Sequence, residues 1–243
     1  MAQLRKMDSK SKNSLANRQR LEMPMQRALD LVLSLLGVLI LMPVLIPVAC
    51  ILKVTGENEV FYNQTRIGKN GTPFGLLKFA TMLKDSPNIG AGEITVKNDP
   101  RVLPFGKFLR KSKINELPQL WNVLIGDMSL VGPRPMVPKT FALYSQAAQD
   151  ALNTVRPGLT GIGSIIFRDE ETLLDSRDDP RKFYDDHIAP YKSELEIWFV
   201  KNASLFLYFK IIFVTAWVVL FPATRIHKDV FPGVPTLPVD LKI

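Results

Sequence analysis

Cysteine and histidine are nearly missing from this chain. Among 243 residues there is one cysteine, Cys50, and two histidines, His187 and His227. A single thiol excludes an intramolecular disulfide. The two histidines lack metal-ligand spacing, which excludes a histidine-based zinc site. Any metal would be a hard cation held by carboxylate oxygens. Acidic residues are the scarcer charge, 23 against 31 Lys and Arg, for a formal net charge of +8. That balance implies an anionic partner such as nucleic acid, anionic lipid or a phosphorylated substrate. Nucleic acid is excluded by a second lack: the aromatic residues lie in apolar runs rather than among the basic ones, and no nucleic-acid motif is present. There is no internal repeat.

What the chain does have is a long uncharged run. The 22 residues from Leu31 to Leu52 carry no charge, enough to enter a membrane. The run makes a poor secretory signal, because no polar cleavage region follows and the chain continues into Lys53. Pro43 and Pro47 lie inside it, and proline in a helix interior kinks or breaks the helix. Two topologies are compatible with this, a bent helix that spans the bilayer and a re-entrant helix that turns near Met42-Pro43. Arg20, Arg27 and Lys53 put positive charge at both ends, which favours the re-entrant form if both ends prefer the cytoplasm.

Four segments are expected: a basic arm (1–24, flexible or interfacial), the membrane helix (25–53), a mixed domain (54–222) and a Pro-rich extended tail (223–243). Within the domain, glycines and prolines break Phe61–Phe79 into short strands or loops, and Asp85–Pro104 reads as a loop. The spacing of Leu117, Leu120, Trp121 and Leu124 predicts a helix, ended by Gly126-Asp127. Tyr191–Phe221 is apolar and aromatic but interrupted by Lys201 and Lys210, which suits an interfacial helix.

Between Arg110 and Pro135 the chain supplies the ingredients of a phosphoryl-transfer site: cations (Arg110, Lys111, Lys113), a carboxylate (Glu116), and Arg134 locked between Pro133 and Pro135. Such a site needs cations for phosphate oxygens, a carboxylate for Mg²⁺ and rigid positioning. Taken singly these are weak signals. Lys111 and Lys113 also suit a solvated face, Asp127 a turn, and Glu116 a helix start.

Taken together they resemble the bacterial sugar transferases, the monotopic phosphoglycosyl transferases. The resemblance rests on Arg110, Asn115-Glu116-Leu117-Pro118-Gln119-Leu120, Asn122-Val123-Leu124, Gly126-Asp127-Met128-Ser129 and Gly132-Pro133-Arg134-Pro135, in order and without gaps. Phe61, Gln64, Arg66, Gly68, Lys78-Phe79, Asp99-Pro100-Arg101-Val102 and Arg156-Pro157-Gly158-Leu159-Thr160-Gly161 extend it over roughly 25–220. It implies an α/β fold: a small membrane-associated domain with a re-entrant N-terminal helix hairpin, short strands and amphipathic interfacial helices. The implied reaction moves a sugar-1-phosphate from a UDP-sugar to polyprenyl phosphate and releases UMP, with Mg²⁺ as cofactor. Membrane lipids would be partners, the place would be the cytoplasmic face of a bacterial inner membrane, and the sequence allows a homodimer without requiring one.

By the same resemblance, Asn115 and Glu116 are the catalytic positions, Glu116 holds the metal, and Lys78, Arg110, Pro133, Arg134 and Pro135 bind substrate. The family's attacking aspartate, which forms a covalent phosphosugar-enzyme, is replaced here by Asn115, and an amide oxygen is a very poor nucleophile. Ala80 replaces a common arginine, Met42-Pro43 stands for the family's Ser-Pro pair, and Glu196 stands for a later family aspartate. A catalytically silent relative that binds nucleotide-sugar or lipid phosphate is the alternative reading.

Overall fold

A computed structural model describes residues 2–89, 99–175, 177–221, 230–238 and 241, with side chains from residue 24 on, residues 87 and 171 excepted. His227 and much of the tail lie outside the described residues, as do the side chains of the basic arm.

One helix, α1, covers Ala2–Val54, with Pro24, Pro43 and Pro47 inside it. The break expected near Met42-Pro43 does not interrupt the helical backbone. Each proline removes one hydrogen bond, whereas leaving the helix in an apolar setting would strand many more backbone groups. Pro24–Val54 is the one helix among the described residues long and apolar enough to cross a membrane. Much of its apolar surface is exposed, including Val32, Leu35, Leu39, Ile40 and Ile46.

Both ends of this apolar stretch are tied to the same domain. At one end Arg27 donates to the Val123 and Leu124 carbonyls at 2.6 and 2.9 Å. These close the unsatisfied C-terminal end of another helix, α3 (Gln119–Ile125). The buried Asp30 carboxylate accepts from Leu130 N–H, Ser129 Oγ and Tyr208 OH at 2.9, 3.1 and 2.9 Å. At the other end Val48 and Leu52 are buried against Phe79 and Leu109.

Strands β1 (Phe61–Ile67) and β2 (Pro73–Phe79) form an antiparallel hairpin, with Tyr62 opposite Lys78. Alternation along β1 turns Tyr62, Gln64 and Arg66 inward and leaves Phe61, Asn63 and Thr65 exposed. Helix α2 (Pro104–Lys111) comes next, with proline at its start. The helix expected from the spacing of Leu117, Leu120, Trp121 and Leu124 forms as α3 but starts later, at Gln119. Lys113 takes a left-handed φ of 59°, a strain of about 1–3 kcal/mol for a non-glycine residue. It turns the chain into a single tight turn, Ile114–Glu116, before α3. Gly126, at φ 101°, closes α3. Leu117 thus falls outside α3, and Trp121 is exposed rather than sharing the buried face of Leu120 and Val123. Asn122 is buried and joins α3 to β2, donating to the Gly75 carbonyl (2.7 Å) and accepting from Leu77 N–H (3.0 Å).

Strands β3 (Ser129–Val131) and β4 (Gly158–Thr160) pair in parallel, connected through α4 (Pro138–Phe141) and α5 (Gln146–Asn153). Short helices α6 (Ile162–Ile166), α7 (Glu170–Asp175) and α8 (Pro180–Phe183) lead to α9 (Ala189–Asn202) and α10 (Leu205–Leu220). The long apolar segment is therefore two helices, and Ser204 caps the second by accepting from Leu207 N–H. Helix α10 buries Leu207, Tyr208, Ile211, Val214 and Val218 and exposes Phe206, Phe209, Phe213, Trp217 and Leu220. That two-faced division fits an interfacial helix. The described tail residues are not free: Phe231 and Leu241 are buried in the main core with Ile162, Leu195 and Ile211, and Tyr191 OH donates to the Pro235 carbonyl.

Candidate active site

Three elements converge beside the hairpin. Strand β2 brings Lys78, the turn after α2 brings Asn115 and Glu116, and the loop after β3 brings Pro133, Arg134 and Pro135. Arg134 Nη2 donates to Glu116 Oε1 at 3.1 Å. Arg66, Arg110 and Arg134 act electrostatically on Lys78, and Lys113 acts on Glu116. The fold thus brings Lys78, Arg110, Lys113, Glu116 and Arg134 together and adds Arg66, while nothing among the described residues ties Lys111 to the cluster. Arg66 lies on the inward face of β1, donating to the Pro135 carbonyl at 3.0 Å and to Gln64. The alternation of β1 relative to Lys78 is the sequence signal that could have found it. Asp127 is not Arg134's partner; it accepts from Asn122 Nδ2 at 3.4 Å beside the turn that ends α3.

The loop carrying Arg134 is fixed through its carbonyls. Gly132 N–H donates to Thr160 O at 2.9 Å, Gly158 N–H to Pro133 O at 2.7 Å, and Ile67 N–H to Met136 O at 2.9 Å. Gly132 and Gly158 approach so closely that a Cβ on Gly158 would stand 2.1 Å from Gly132 N, so the approach needs glycine.

Charge states are set by this crowding. Burial works to raise the Glu116 carboxyl, but Arg134, Lys78 and Lys113 overcome it and hold it down at about 2. Glu116 is therefore ionised at neutral pH. Burial lowers the Lys78 ammonium to about 7; Glu116 opposes that, while Arg66, Arg134 and Arg110 add to it. Lys78 titrates near neutrality as a result. Asn115 is buried, and its Oδ1 has no hydrogen-bond partner. A partnerless buried oxygen on the residue before an ionised carboxylate is a site of unmet polar demand.

Among the described residues no group of three or more acidic, histidine or cysteine side chains could hold a metal by itself. Glu116 and Asn115 Oδ1 do offer hard oxygen donors. They suit Mg²⁺, which takes one or two carboxylates and completes its shell with substrate phosphates and water.

Known proteins resemble this chain over most of its length. The family model for bacterial sugar transferase matches residues 21–222. An uncharacterised sugar transferase from Haemophilus influenzae is 36% identical over 210 residues, covering 81% of this chain and 41% of that protein. Undecaprenyl-phosphate glucose phosphotransferase from Komagataeibacter xylinus is 38% identical over 195 residues, covering 78% of this chain and 35% of its own. The exopolysaccharide production protein PSS of Rhizobium leguminosarum bv. phaseoli is 34% identical over 200 residues, covering 80% and 94%. The chain thus spans about two fifths of the first relative, about a third of the second and nearly all of the third. With the family model matching from α1 through α10, this chain belongs to the bacterial sugar transferase family.

Proposed function

We propose that the protein transfers a sugar-1-phosphate from a UDP-sugar to polyprenyl phosphate and releases UMP, at the cytoplasmic face of a bacterial inner membrane. One observation carries this reading: Arg134, Lys78 and Lys113 act on the ionised carboxylate of Glu116, and Arg66 and Arg110 act in turn on Lys78. Such an excess of cations calls for a polyanion, and a nucleotide-sugar pyrophosphate meeting a lipid phosphate supplies one. Arg134, with its backbone fixed by two prolines, offers a planar fork that matches phosphate oxygens.

Asn115 favours one route. With an amide at that position, an oxygen of the lipid phosphate attacks the sugar-bearing phosphorus directly. A new P–O bond forms, the bond from that phosphorus to the bridging oxygen breaks, and UMP leaves with the electron pair. The basic side chains hold and orient both phosphates and stabilise charge on the transferring group. Asn115 Nδ2 donates to a phosphate oxygen. Mg²⁺, held by Glu116 with Asn115 Oδ1, would supply Lewis-acid charge stabilisation.

The topology proposed is re-entrant in one sense: both ends of the continuous apolar helix stay on one side of the membrane. Support comes from the two ends of the apolar helix, since Arg27 and Asp30 at one end and Val48 and Leu52 at the other rest on the same polar domain. Cysteines placed at Ser11 and Thr55 should both react with a reagent on the cytoplasmic side only. Labelling from opposite sides would establish a span instead.

The test of the reaction uses a UDP-sugar labelled in the sugar. Without acceptor, direct transfer gives no labelled protein and no UMP. Adding polyprenyl phosphate with Mg²⁺ starts UMP release, and EDTA stops it. A burst of UMP with label on Glu116 would replace the direct route by a covalent one. The neutral Asn115 favours one second reading, a relative that binds without turning over. Silence across all UDP-sugars with acceptor present would select it, and an Asn115→Asp variant that alone gains turnover would locate the cause.

A further inference from the structure

Pro133-Arg134-Pro135 contains one backbone N–H, because proline has none. The carbonyls on either side of Arg134 are already engaged, Pro133 O by Gly158 N–H and Pro135 O by Arg66. The N–H of Arg134 acts as a backbone donor toward the carboxyl of Glu196 on α9. Glu196 is 3% exposed, a rare setting for a glutamate. Its Oε2 has no hydrogen-bond partner. Its other oxygen rests against Gly163 in α6, where a Cβ would stand 2.6 Å from Oε1.

We propose that Glu196 is a positioning residue for the phosphate site: its carboxyl, seated on Gly163, fixes the backbone of Arg134 and thereby the direction in which the guanidinium points. Three structural facts converge on this role. Arg134 has a single N–H to be held by, α9 is the element that reaches it, and α6 carries glycine where any larger residue would push the carboxyl away. An apolar residue of the same length would fill the space better, since a buried acid with one idle oxygen is costly in a core. What an apolar residue would lose is the acceptor. Burial raises the Glu196 carboxyl to about 8 despite the Arg134 N–H and the nearby charges of Lys192 and Arg134. It therefore serves as a neutral acceptor and places no competing negative charge behind the phosphate-binding arginine.

The role presumes that the basic cluster binds phosphate, so the probe is inorganic pyrophosphate, titrated calorimetrically into the full chain in membrane mimic. Glu196→Leu should bind pyrophosphate about tenfold more weakly, the lower end of the loss seen when a residue that orients a ligating group is removed. Glu196→Gln keeps a carbonyl acceptor and should stay within about threefold of wild type, on the reasoning that one neutral acceptor replaces another. Gly163→Ala leaves Glu196 in place but displaces its carboxyl, and should weaken binding in the same direction as Glu196→Leu. This second variant keeps the test open if Glu196→Leu does not fold. Wild-type binding with Gly163→Ala and Glu196→Leu unimpaired would overturn the role of Glu196 alone. So would a Gln variant as weak as the Leu variant. Wild-type protein that ignores pyrophosphate would overturn the phosphate-site reading, and the role with it.

Discussion

Glu116 and Glu196 both touch Arg134, and they are held in opposite charge states. Glu116 meets the guanidinium at the open side, where Arg134, Lys78 and Lys113 overcome burial and keep it ionised. Glu196 meets the backbone N–H on the dry side, where burial dominates and keeps it protonated at neutral pH. Desolvation acts on both. What differs is the compensation: full cationic charges in front, and mainly a backbone dipole behind. The same residue type thereby serves two purposes. An ionised carboxylate among cations can share a divalent metal with phosphate. A neutral carboxyl shut in the core holds geometry without adding a competing charge.

The largest expected effect breaks the front of this comparison. Glu116→Gln removes the negative charge paired with Arg134 and should lower UMP release on the order of a hundredfold or more, the scale for deleting one preorganised electrostatic group. Extra Mg²⁺ should not restore it. Near-normal turnover would remove Glu116 from the chemistry. Its charge also contributes to stability. The folded carboxyl titrates at about 2, below its ordinary 4.5, so its contribution is full above about pH 4.5 and is lost as pH falls through about 2.

A middle-sized effect separates the guanidinium from its backbone. Arg134→Lys leaves the Glu196 contact intact, because that contact uses the N–H. The chain should fold normally and bind UDP about tenfold more weakly, roughly 1.4 kcal/mol, since one ammonium cannot reproduce the fork. A variant that instead loses melting temperature, with normal affinity per folded molecule, would make Arg134 a structural tie to Glu116.

The front of the site was far more legible in sequence than the back. Lys78, Arg110, Glu116 and Arg134 stand out because phosphate chemistry needs charge, and the motif keeps them in a readable order. Arg66 was harder to see. Its role depends on β1 pairing with β2 so that it shares the inward face with Lys78, a register fixed only by the hairpin. Glu196 was visible as a family position without a function. Nothing along Tyr191–Phe221 says that a charge there is buried, because burial depends on Gly163 from α6 and Arg134 from the loop after β3. Helix periodicity misplaced Trp121, since the left-handed Lys113 shortens the helix and leaves Leu117 outside it. Proline chemistry predicted a break in α1 that the helical backbone does not show, because a local rule yields where an apolar run leaves helix as the economical way to satisfy its backbone.

The remaining effect sharpens the comparison through Lys78, which sits at the front yet is pulled toward neutrality like the group behind. Its ammonium titrates at about 7, below its ordinary 10.5, with burial the largest cause. Below pH 7 both folded and unfolded chains carry this proton. Between about 7 and 10.5 the unfolded chain alone keeps it, so the Lys78 contribution to stability rises with pH across that window. Anion binding runs the other way. A bound pyrophosphate favours the charged ammonium, so binding takes up a proton above pH 7, and affinity should weaken by up to about tenfold per pH unit, the limit for one linked proton. Lys78→Arg keeps its charge throughout, which makes it the control. The ratio of wild-type to Lys78→Arg affinity, measured with pyrophosphate from pH 6 to 9, should be flat below about 7 and fall above it. Equal pH profiles would mean that Lys78 stays charged across the range, and that the cations around it do not disfavour its proton as their placement requires.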